Sequence, residues 1–357
     1  MKKLLSLLMV FPFIITMLVG CFVKGGYELA FVTNFGILED KSFNQESWDG
    51  LKKYSEEHKM TFQYYQPTEG TNKAYLEAIE LAVKGGAKAI ITQGSLFEVA
   101  IYEAQIKYPD VNFILLDGEP HTEDYKTYYT EKNVQPILFA VEEAGFMAGY
   151  AAVKDGFTKL GFQGSMAVPA VIRYGYGFAQ GANIAAQEMN LAEESVSLMF
   201  NYSGDVAASP ESQARAAGWY DAGTEIIFAY GGTVVDSVIA AAEASDGKFV
   251  IGADIDQSDK SEKIISSAVK IMGNSVYKAL EAYYNKKWEG GETWVLNASD
   301  NCVGLAMENA RWRNFSDNDY NILLNAVRNK AYSINNKTDI GVDDLNLKYI
   351  NITEIKD

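Results

Sequence analysis

The chain has 357 residues, which is enough for two ordinary domains or one large one. Its formal net charge is −16 and it carries no basic stripe, so it is a poor binder of DNA, RNA or anionic lipid headgroups, and we expect no nucleic-acid partner. Aromatic residues make up 13% of the chain and charged residues 22%, a composition typical of globular rather than disordered proteins.

Residues 1–20 predict a secretory signal peptide. Lys2 and Lys3 precede an uncharged apolar run that ends in Leu-Val-Gly-Cys at Cys21, and small residues before a cleavage site are typical of such signals. The Leu-Val-Gly-Cys run resembles the bacterial lipobox, in which the cysteine is acylated and becomes the first mature residue. The alternative is an uncleaved anchor, since the run approaches the ~20 residues that span a membrane. We expect a lipid on Cys21, a linker at 21–26, and a chain tethered to the cell membrane on its extracytoplasmic face.

Cys302 is the only other cysteine, so an acylated Cys21 leaves it without an intramolecular partner. It lies in an apolar, strand-like context. We expect a buried and unreactive thiol.

Eight apolar runs of strand length alternate with amphipathic helical segments along the rest of the chain. The runs form two groups of four, at 27–33, 61–66, 87–93 and 112–118, then at 159–165, 196–202, 224–232 and 248–254. The helical segments lie at 46–59, 73–84, 97–108, 170–188, 209–221 and 234–244. This alternation indicates parallel sheets covered on both faces, and hence an α/β fold. Two doubly wound lobes are expected, although one sheet of eight strands would give the same pattern.

Residues 133–156 lie between the two groups and predict one long helix. It carries small residues, among them Gly145 and Gly149, which let another backbone approach closely. The helix could pack near the junction of the lobes or tightly within one lobe. Towards the C-terminus, residues 318–332 predict a helix and 346–352 a short strand.

Few residues of this chain suit catalysis or metal binding. His58 and His121 are the two histidines, and no Ser/His/Asp triad, metal site or Cys-His pair can be assembled from the sequence. Gly175, Gly177 and Gly181 imitate a dinucleotide-binding fingerprint, but their spacing is one residue too long and they lie within a helical pattern. We therefore expect a binding protein rather than an enzyme, with no cofactor and no metal.

Polar and small residues follow several of the predicted strands. Ligands of open parallel sheets bind beyond the carboxyl ends of the strands. One Asp after a strand usually caps a helix or starts a turn, but several such residues on one edge indicate a binding site. The residues concerned are Asn34, Gly94, Ser95, Asp117, Tyr230, Gly231 and Asp254, together with the aromatic Phe228, at which we expect the strand within the run 224–232 to end.

Phe43 begins a predicted helix but does not lie on its buried face. Ser42 and Gln45 have the spacing of a capping box, which makes Phe43 the first helical residue. The buried stripe of that helix passes through Trp48, Leu51 and Ser55, and Phe43 projects roughly 80° away from its centre. A ring at a helix start above a sheet edge can stack on a planar ligand; the alternative is a partly exposed ring that covers its own lobe.

An ordered series of segments resembles the basic membrane protein family. The segments include "VTNFGILEDKSFNQESWDGL", "FILLDG", "TEIIFAYGGT" and "VIGADIDQ". Members of this family are substrate-binding lipoproteins of ABC transporters, and the best-described ones are purine nucleoside receptors. The resemblance implies a type I periplasmic-binding fold, in which two lobes joined by a hinge clamp the ligand. On this fold we expect one lobe to comprise 27–140 with about 268–300, and the other 141–267 with about 301–357.

The resemblance also implies roles for individual residues. Phe43 matches one aromatic that stacks on the base, and Phe228 matches the other. Asp117 matches the acidic contact to the base, and Asp254 and Lys270 match the contacts to ribose hydroxyls. The remaining expected ligand-binding residues are Asn44, Gly94, Gly231 and Asn34, the last of which stands where the family usually has Asp.

The expected function is therefore capture of a nucleoside, with a purine as the expected base, and its delivery to an ABC permease by a monomeric protein. One alternative is the same fold with a sugar or another small metabolite, which Asn34 favours. A second is an enzyme that acts on nucleosides, for which Asp254 and Asp256 form the only nearby carboxylate pair. A third is a surface adhesin or sensor with a macromolecular ligand.

Overall fold

The computed structural model describes residues 26–34, residue 38 and residues 43–356, except for the side chain of Phe43. The predictions for the signal peptide, for Cys21 and for the capping residue Ser42 lie outside the described residues. Within these limits, no helix is long and apolar enough to cross a membrane.

The described residues form thirteen strands and nine α-helices. The strands are β1 (Leu29–Val32), β2 (Phe62–Tyr65), β3 (Ala89–Gln93), β4 (Asn112–Leu116), β5 (Val134–Phe139), β6 (Lys159–Gly164), β7 (Val196–Tyr202), β8 (Ile226–Tyr230), β9 (Phe249–Asp254), β10 (Ile264–Lys270), β11 (Trp294–Leu296), β12 (Val303–Leu305) and β13 (Ile350–Ile355). The helices are α1 (Phe43–His58), α2 (Asn72–Lys84), α3 (Glu98–Lys107), α4 (Val141–Lys154), α5 (Pro169–Glu188), α6 (Pro210–Asp221), α7 (Val234–Glu243), α8 (Met272–Tyr284) and α9 (Asp317–Arg328).

The strands form two separate sheets, each the centre of one lobe. The first sheet has the order β11-β5-β4-β3-β1-β2 and is parallel throughout. The second has the order β12-β10-β9-β8-β6-β7-β13, and only its β10–β12 pair is antiparallel. Buried apolar residues lie on both faces of each sheet. The predicted α/β fold with two doubly wound lobes is confirmed.

The chain passes between the lobes three times. It leaves the first sheet after β5, returns after β10, and crosses again between β11 and β12. The expected lobe boundary at about 268 is slightly early, because β10 stays hydrogen-bonded to β9 in the second sheet through Val269.

Most elements lie where the hydrophobic pattern predicts them, but β5, β10, α8 and β11 were not predicted. The predicted helix at 133–156 is wrong over its first third, because Val134–Phe139 forms β5 between β4 and β11. Strand β10 was not predicted: its apolar run is interrupted by Ser266 and Ser267, which are buried. Both are satisfied there, since Ser266 Oγ donates to the Ala306 carbonyl at 2.8 Å and Ser267 Oγ accepts from the Gln257 N–H at 3.1 Å.

The small residues of α4 allow tight packing within the second lobe, rather than packing at the junction of the lobes. A Cβ atom on Gly149 would lie 1.9 Å from the Phe178 carbonyl oxygen of α5, and one on Gly181 would lie 1.9 Å from the Phe146 carbonyl oxygen of α4. Glycine is therefore required on both helices where their backbones meet. Gly181 belongs to the fingerprint-like run, so this helix contact accounts for that run without a dinucleotide.

Two predictions of burial are also confirmed. Cys302 is completely buried, and burial raises the pKa of its thiol to about 11. In α1, Leu51 and Ser55 are fully buried, and Trp48 packs on Phe31 and Phe62.

Candidate functional site

An ion cluster joins the carboxyl ends of the two sheets. Lys270 ends β10, and its Nζ lies 2.8 Å from Asp117 Oδ2 and 3.0 Å from Asp254 Oδ1. Asp117 directly follows β4 of the first sheet, whereas Asp254 ends β9 of the second. Because the two carboxylates come from different sheets, the ammonium connects the lobes at this point. Lys270, Asp117 and Asp254 are called the interlobe ion cluster below.

The cluster lies largely out of water. The Lys270 side chain is 1% exposed, compared with 30% for Asp117 and 23% for Asp254. Burial by itself would lower the pKa of Lys270, but the carboxylates of Asp117 and Asp254 outweigh burial and raise that pKa well above its usual value. Burial raises the pKa of Asp254, and the Lys270 ammonium opposes that shift. Lys270 is therefore a compensated cation at neutral pH rather than a lone buried charge.

Both carboxylates of the cluster stand on unusual backbone. The φ angle is +55° at Asp117 and +71° at Asp254, in the left-handed region that residues other than glycine adopt infrequently. Such conformations cost of order 1–3 kcal/mol and are concentrated at functional sites. The backbone at the end of each strand is therefore strained where it places a carboxylate beside Lys270.

Two tyrosines complete the surroundings of Lys270: Tyr230, one of the strand-end residues named from the sequence, and Tyr174, which the sequence analysis missed. Lys270 Nζ donates to the Tyr230 hydroxyl at 3.4 Å, and the Tyr174 hydroxyl donates to Asp254 Oδ1 at 3.4 Å. The two rings lie 4.3 Å apart between centroids. Tyr230 was named from the sequence because it lies at the end of an apolar run, whereas Tyr174 lies within the α5 pattern and no sequence signal marks it.

A chain of side-chain amides lies at the same edge of the first sheet. Asn44 Nδ2 donates to Asn34 Oδ1 at 2.6 Å, and Gln93 Nε2 donates to Asn44 Oδ1 at 2.8 Å. The Ser47 hydroxyl donates to Gln93 Oε1. Asn44, Ser47 and Gln93 are buried, so these bonds fix their orientations, and the chain ends at the half-buried Asn34. The structure thus brings the predicted Asn34 and Asn44 together; Gln93 was missed, although it ends β3 at the expected edge.

Gly94 and Gly231 follow β3 and β8 with φ angles of +82° and +108°. A Cβ atom on Gly231 would lie 2.0 Å from Ser165 Oγ, so only glycine fits against this neighbour within the second lobe. At Gly94, no described atom comes within 4 Å of the corresponding position. Gly94 therefore presents open backbone at the edge of the first sheet, and its N–H is held by the Leu116 carbonyl at 2.7 Å.

The structure does not bring Phe228 to this edge. Strand β8 continues to Tyr230, so the expected strand end at Phe228 is wrong by two residues. Phe228 is fully buried, and its ring packs on Phe162, Tyr174 and Phe178 at centroid distances of 5.6, 5.7 and 5.2 Å. It belongs to the core of the second lobe, which leaves Tyr230 as the aromatic of β8 beside the ion cluster.

Phe43 is the first residue of α1, in agreement with the predicted helix start. The position of its ring lies outside the described residues, and its stacking role stays a prediction. The next residue, Asn44, belongs to the amide chain, so the start of α1 lies at the same edge of the first sheet as Asn34 and Gln93.

A cavity of about 280 Å³ opens between α1 and the segment that follows β9. Burial raises the pKa of Glu46 to about 7; a hydrogen bond from the Met272 N–H opposes this shift, and the charge of Asp49 adds to it. The cavity begins one residue after Asn44 on one side and one residue after Asp254 on the other. Its lining residues are Gln45, Glu46, Asp49, Ile255, Asp256, Ser258, Asp259 and Asn309.

Among the described residues, the site offers hydrogen-bonding groups and no recognisable catalytic set. The described residues contain no group of three or more His, Cys, Asp or Glu side chains that could hold a metal ion. Both histidines have structural partners, since His58 stacks on Tyr54 and His121 Nε2 lies 3.1 Å from Glu98 Oε2. Carboxylates, an ammonium and amides together can bind the hydroxyl groups and ring nitrogens of a small polar molecule.

Comparison with known proteins identifies relatives over most of the chain. The model of the Bmp family, described as ABC transporter substrate-binding protein PnrA-like, matches residues 28–341. Basic membrane protein B of Borrelia garinii subsp. bavariensis is 28% identical over 281 residues, which cover 77% of this chain and 79% of the relative. The ABC transporter nucleoside-binding protein BmpA of Lactococcus lactis subsp. cremoris is 26% identical over 310 residues, which cover 81% of this chain and 84% of the relative.

Among solved structures, an ABC transporter solute-binding protein from Conexibacter woesei superimposes with a TM-score of 0.67 at 17% sequence identity. The superposition covers 86% of this chain and 98% of that one. At this level of identity the likeness establishes a shared fold, the two-lobed fold of solute-binding proteins that the sequence predicts.

Proposed function

Because the chain belongs to the Bmp family of PnrA-like ABC transporter substrate-binding proteins, we propose that it captures a nucleoside, with a purine base preferred, between its two lobes. The family is one of binding proteins, which agrees with the expectation that this chain is not an enzyme. The L. lactis relative is named as a nucleoside-binding protein, and this supports the choice of ligand class.

The observation that carries the proposal is the interlobe ion cluster. Asp117, Asp254 and Lys270 come from three strand ends of two sheets, and Lys270 Nζ lies within 3.0 Å of an oxygen of each carboxylate. A ligand held at this edge would contact both lobes at once. The carboxylates would accept hydrogen bonds from ligand hydroxyl and N–H groups, and Lys270 would donate to a hydroxyl oxygen.

The amide chain supplies the neutral part of the site. Asn34 carries no charge where an aspartate would, so it can donate through Nδ2 while its Oδ1 accepts from Asn44. A nucleobase has donors and acceptors on one edge, which suits an amide side chain. Phe43, next to Asn44, would stack on the face of that base.

The remaining parts of the proposal concern the cellular context. A lipid on Cys21 would hold the protein on the extracytoplasmic face of the cell membrane, beside the ABC permease that receives the nucleoside. Closure of the two lobes around the ligand would then present one defined conformation to that permease.

Mass spectrometry of small molecules released by denaturing the purified protein tests the ligand class. We expect an intact nucleoside, retained without conversion to free base and sugar. Release of a sugar or another metabolite instead would overturn the proposal, and release of base and ribose after incubation would indicate an enzyme.

A Phe43→Ala variant tests the stacking role by calorimetry with the identified nucleoside. Aromatic stacking on a base is worth ~1–3 kcal/mol, so we expect the affinity to fall about fivefold or more. Tyr27→Ala is the matched control, because Tyr27 is a 43%-exposed aromatic that precedes β1 at the opposite end of the strand. An affinity within about twofold of the unsubstituted protein for Phe43→Ala would refute the stacking role.

A further inference from the structure

Lys270 occupies a position where the chain passes from one lobe to the other. Its strand, β10, is held in the second sheet by β9 and β12. Directly after Lys270, α8 begins at Met272 and packs on α1 of the first lobe, and the Met272 N–H donates to Glu46 Oε2 at 3.1 Å. When one lobe rotates relative to the other, the backbone conformation must change at such crossings.

The two carboxylates that contact Lys270 respond differently to such a rotation. Asp254 stays with Lys270, because its strand β9 is hydrogen-bonded to β10 and Asp254 is in register with Val269. Asp117 moves away with β4, because it belongs to the first sheet. The contact from Lys270 Nζ to Asp117 Oδ2, at 2.8 Å, is thus the one that lobe separation breaks.

We propose that Lys270 is a positioning residue that holds the lobes together through a direct ion pair with Asp117. The pair needs no ligand to bridge it, since the two side chains are in hydrogen-bond contact with each other. The protein therefore populates a closed conformation before it binds a ligand, and ligand capture shifts an existing equilibrium between open and closed forms.

This proposal has a consequence for ligand binding that the proposed function alone does not have. A ligand that engages Asp117 and Lys270 must exchange their mutual contact for new ones rather than add to it. Loss of Asp117 should therefore lower the affinity in two ways, because it removes a ligand contact and also reduces the fraction of closed, binding-competent molecules.

Pulsed electron spin resonance on the full-length protein can measure the opening without ligand. Nitroxide labels are placed on cysteines introduced at Lys73 and Glu211. Both residues are exposed, and they lie in the first turns of α2 in the first lobe and α6 in the second. We expect two distance populations in the labelled parent protein. Asp117→Asn should raise the ratio of open to closed molecules about tenfold, the equivalent of ~1.4 kcal/mol.

Further variants separate positioning from general destabilisation. Lys270→Met removes the ammonium and leaves two facing carboxylates, so its open fraction should exceed that of Asp117→Asn, whereas Lys270→Arg keeps the charge and should restore the closed population. Glu80→Gln is the control, because Glu80 makes exposed ion pairs with Lys107 and Lys84 inside the first lobe. It should leave the distances unchanged.

An unchanged distance distribution in Asp117→Asn would overturn the proposal, as would equal opening in Lys270→Arg and Lys270→Met. Should Lys270→Met fail to fold, Asp117→Asn still decides, because asparagine tolerates the left-handed backbone at this position. These readings need no ligand, so they are separate from the proposed function. Opening without nucleoside binding would overturn only that function, and nucleoside binding without opening would overturn only the role of Lys270.

Discussion

Glu46 should make the protein less stable as the pH rises from about 5 to 7. Burial raises the pKa of this carboxyl from 4.5 to about 7 in the folded protein. Between these values the folded protein holds a proton that the unfolded chain has released. The free energy of unfolding therefore falls as the pH increases through this window, and the contribution of Glu46 is constant on either side of it.

The size of the effect follows from the surroundings of the carboxyl group. Each pKa unit corresponds to ~1.4 kcal/mol, so the whole shift from 4.5 to about 7 would give about 3 kcal/mol. Glu46 is only half-buried, so screening by water reduces the effect to about 1–2 kcal/mol.

Glu46→Gln isolates this contribution, because glutamine keeps an acceptor for the Met272 N–H but does not ionise. We expect the variant to exceed the parent protein by about 1–2 kcal/mol in unfolding free energy at pH 8, and to match it at pH 4.5. Urea denaturation at both pH values measures the difference. Glu77→Gln is the control: Glu77 is exposed on α2 beside Lys73, so its effect should stay within ~0.5 kcal/mol. A variant less stable than the parent protein at pH 8 would refute the reasoning.

Two further predictions concern parts of the fold away from the ion cluster. Gly181→Ala should lower the unfolding free energy by at least ~2 kcal/mol, because the added Cβ would lie 1.9 Å from the Phe146 carbonyl oxygen. Gly218→Ala in α6 is the control: its Cβ meets no described atom within 4 Å, so it should raise the unfolding free energy by up to ~1 kcal/mol. Thermal unfolding compares the two variants, and equal effects would contradict the close packing of α4 and α5. Cys302 should react slowly with a thiol reagent at pH 8 in the native protein, because it is buried and its pKa is raised to about 11. It should react quickly once urea unfolds the chain. Rapid reaction in the native protein would contradict its burial.

The carboxyl-end rule for parallel strands accounts for what the sequence reveals of the site. Asp117, Asp254 and Asn34 each follow or end an apolar strand, and strand ends can be located from the hydrophobic pattern. Phe228 shows the limit of that method. Placing the end of β8 two residues too early assigned Phe228, a core residue, to the position that Tyr230 occupies beside the ion cluster. The resemblance to a family supplied Lys270, whose strand carries buried serines and gives no clear apolar run.

The contacts within the site depend on the tertiary structure. Gln93 and Ser47 are 46 residues apart and meet through a hydrogen bond that no local pattern signals. Tyr174 reads as an ordinary core position of α5, yet its hydroxyl reaches Asp254 of a strand 80 residues later. Such pairings follow from the order of strands in a sheet, which one sequence does not determine.

The most direct test of the account is calorimetric titration of the ligand-stripped protein with purine nucleosides, pyrimidine nucleosides and free ribose. The proposed site predicts the tightest binding for a purine nucleoside. Ribose should bind at least about tenfold more weakly, because it lacks the base on which Phe43 stacks. Binding of ribose as tight as that of every nucleoside, or no heat with any nucleoside, would contradict the proposed function.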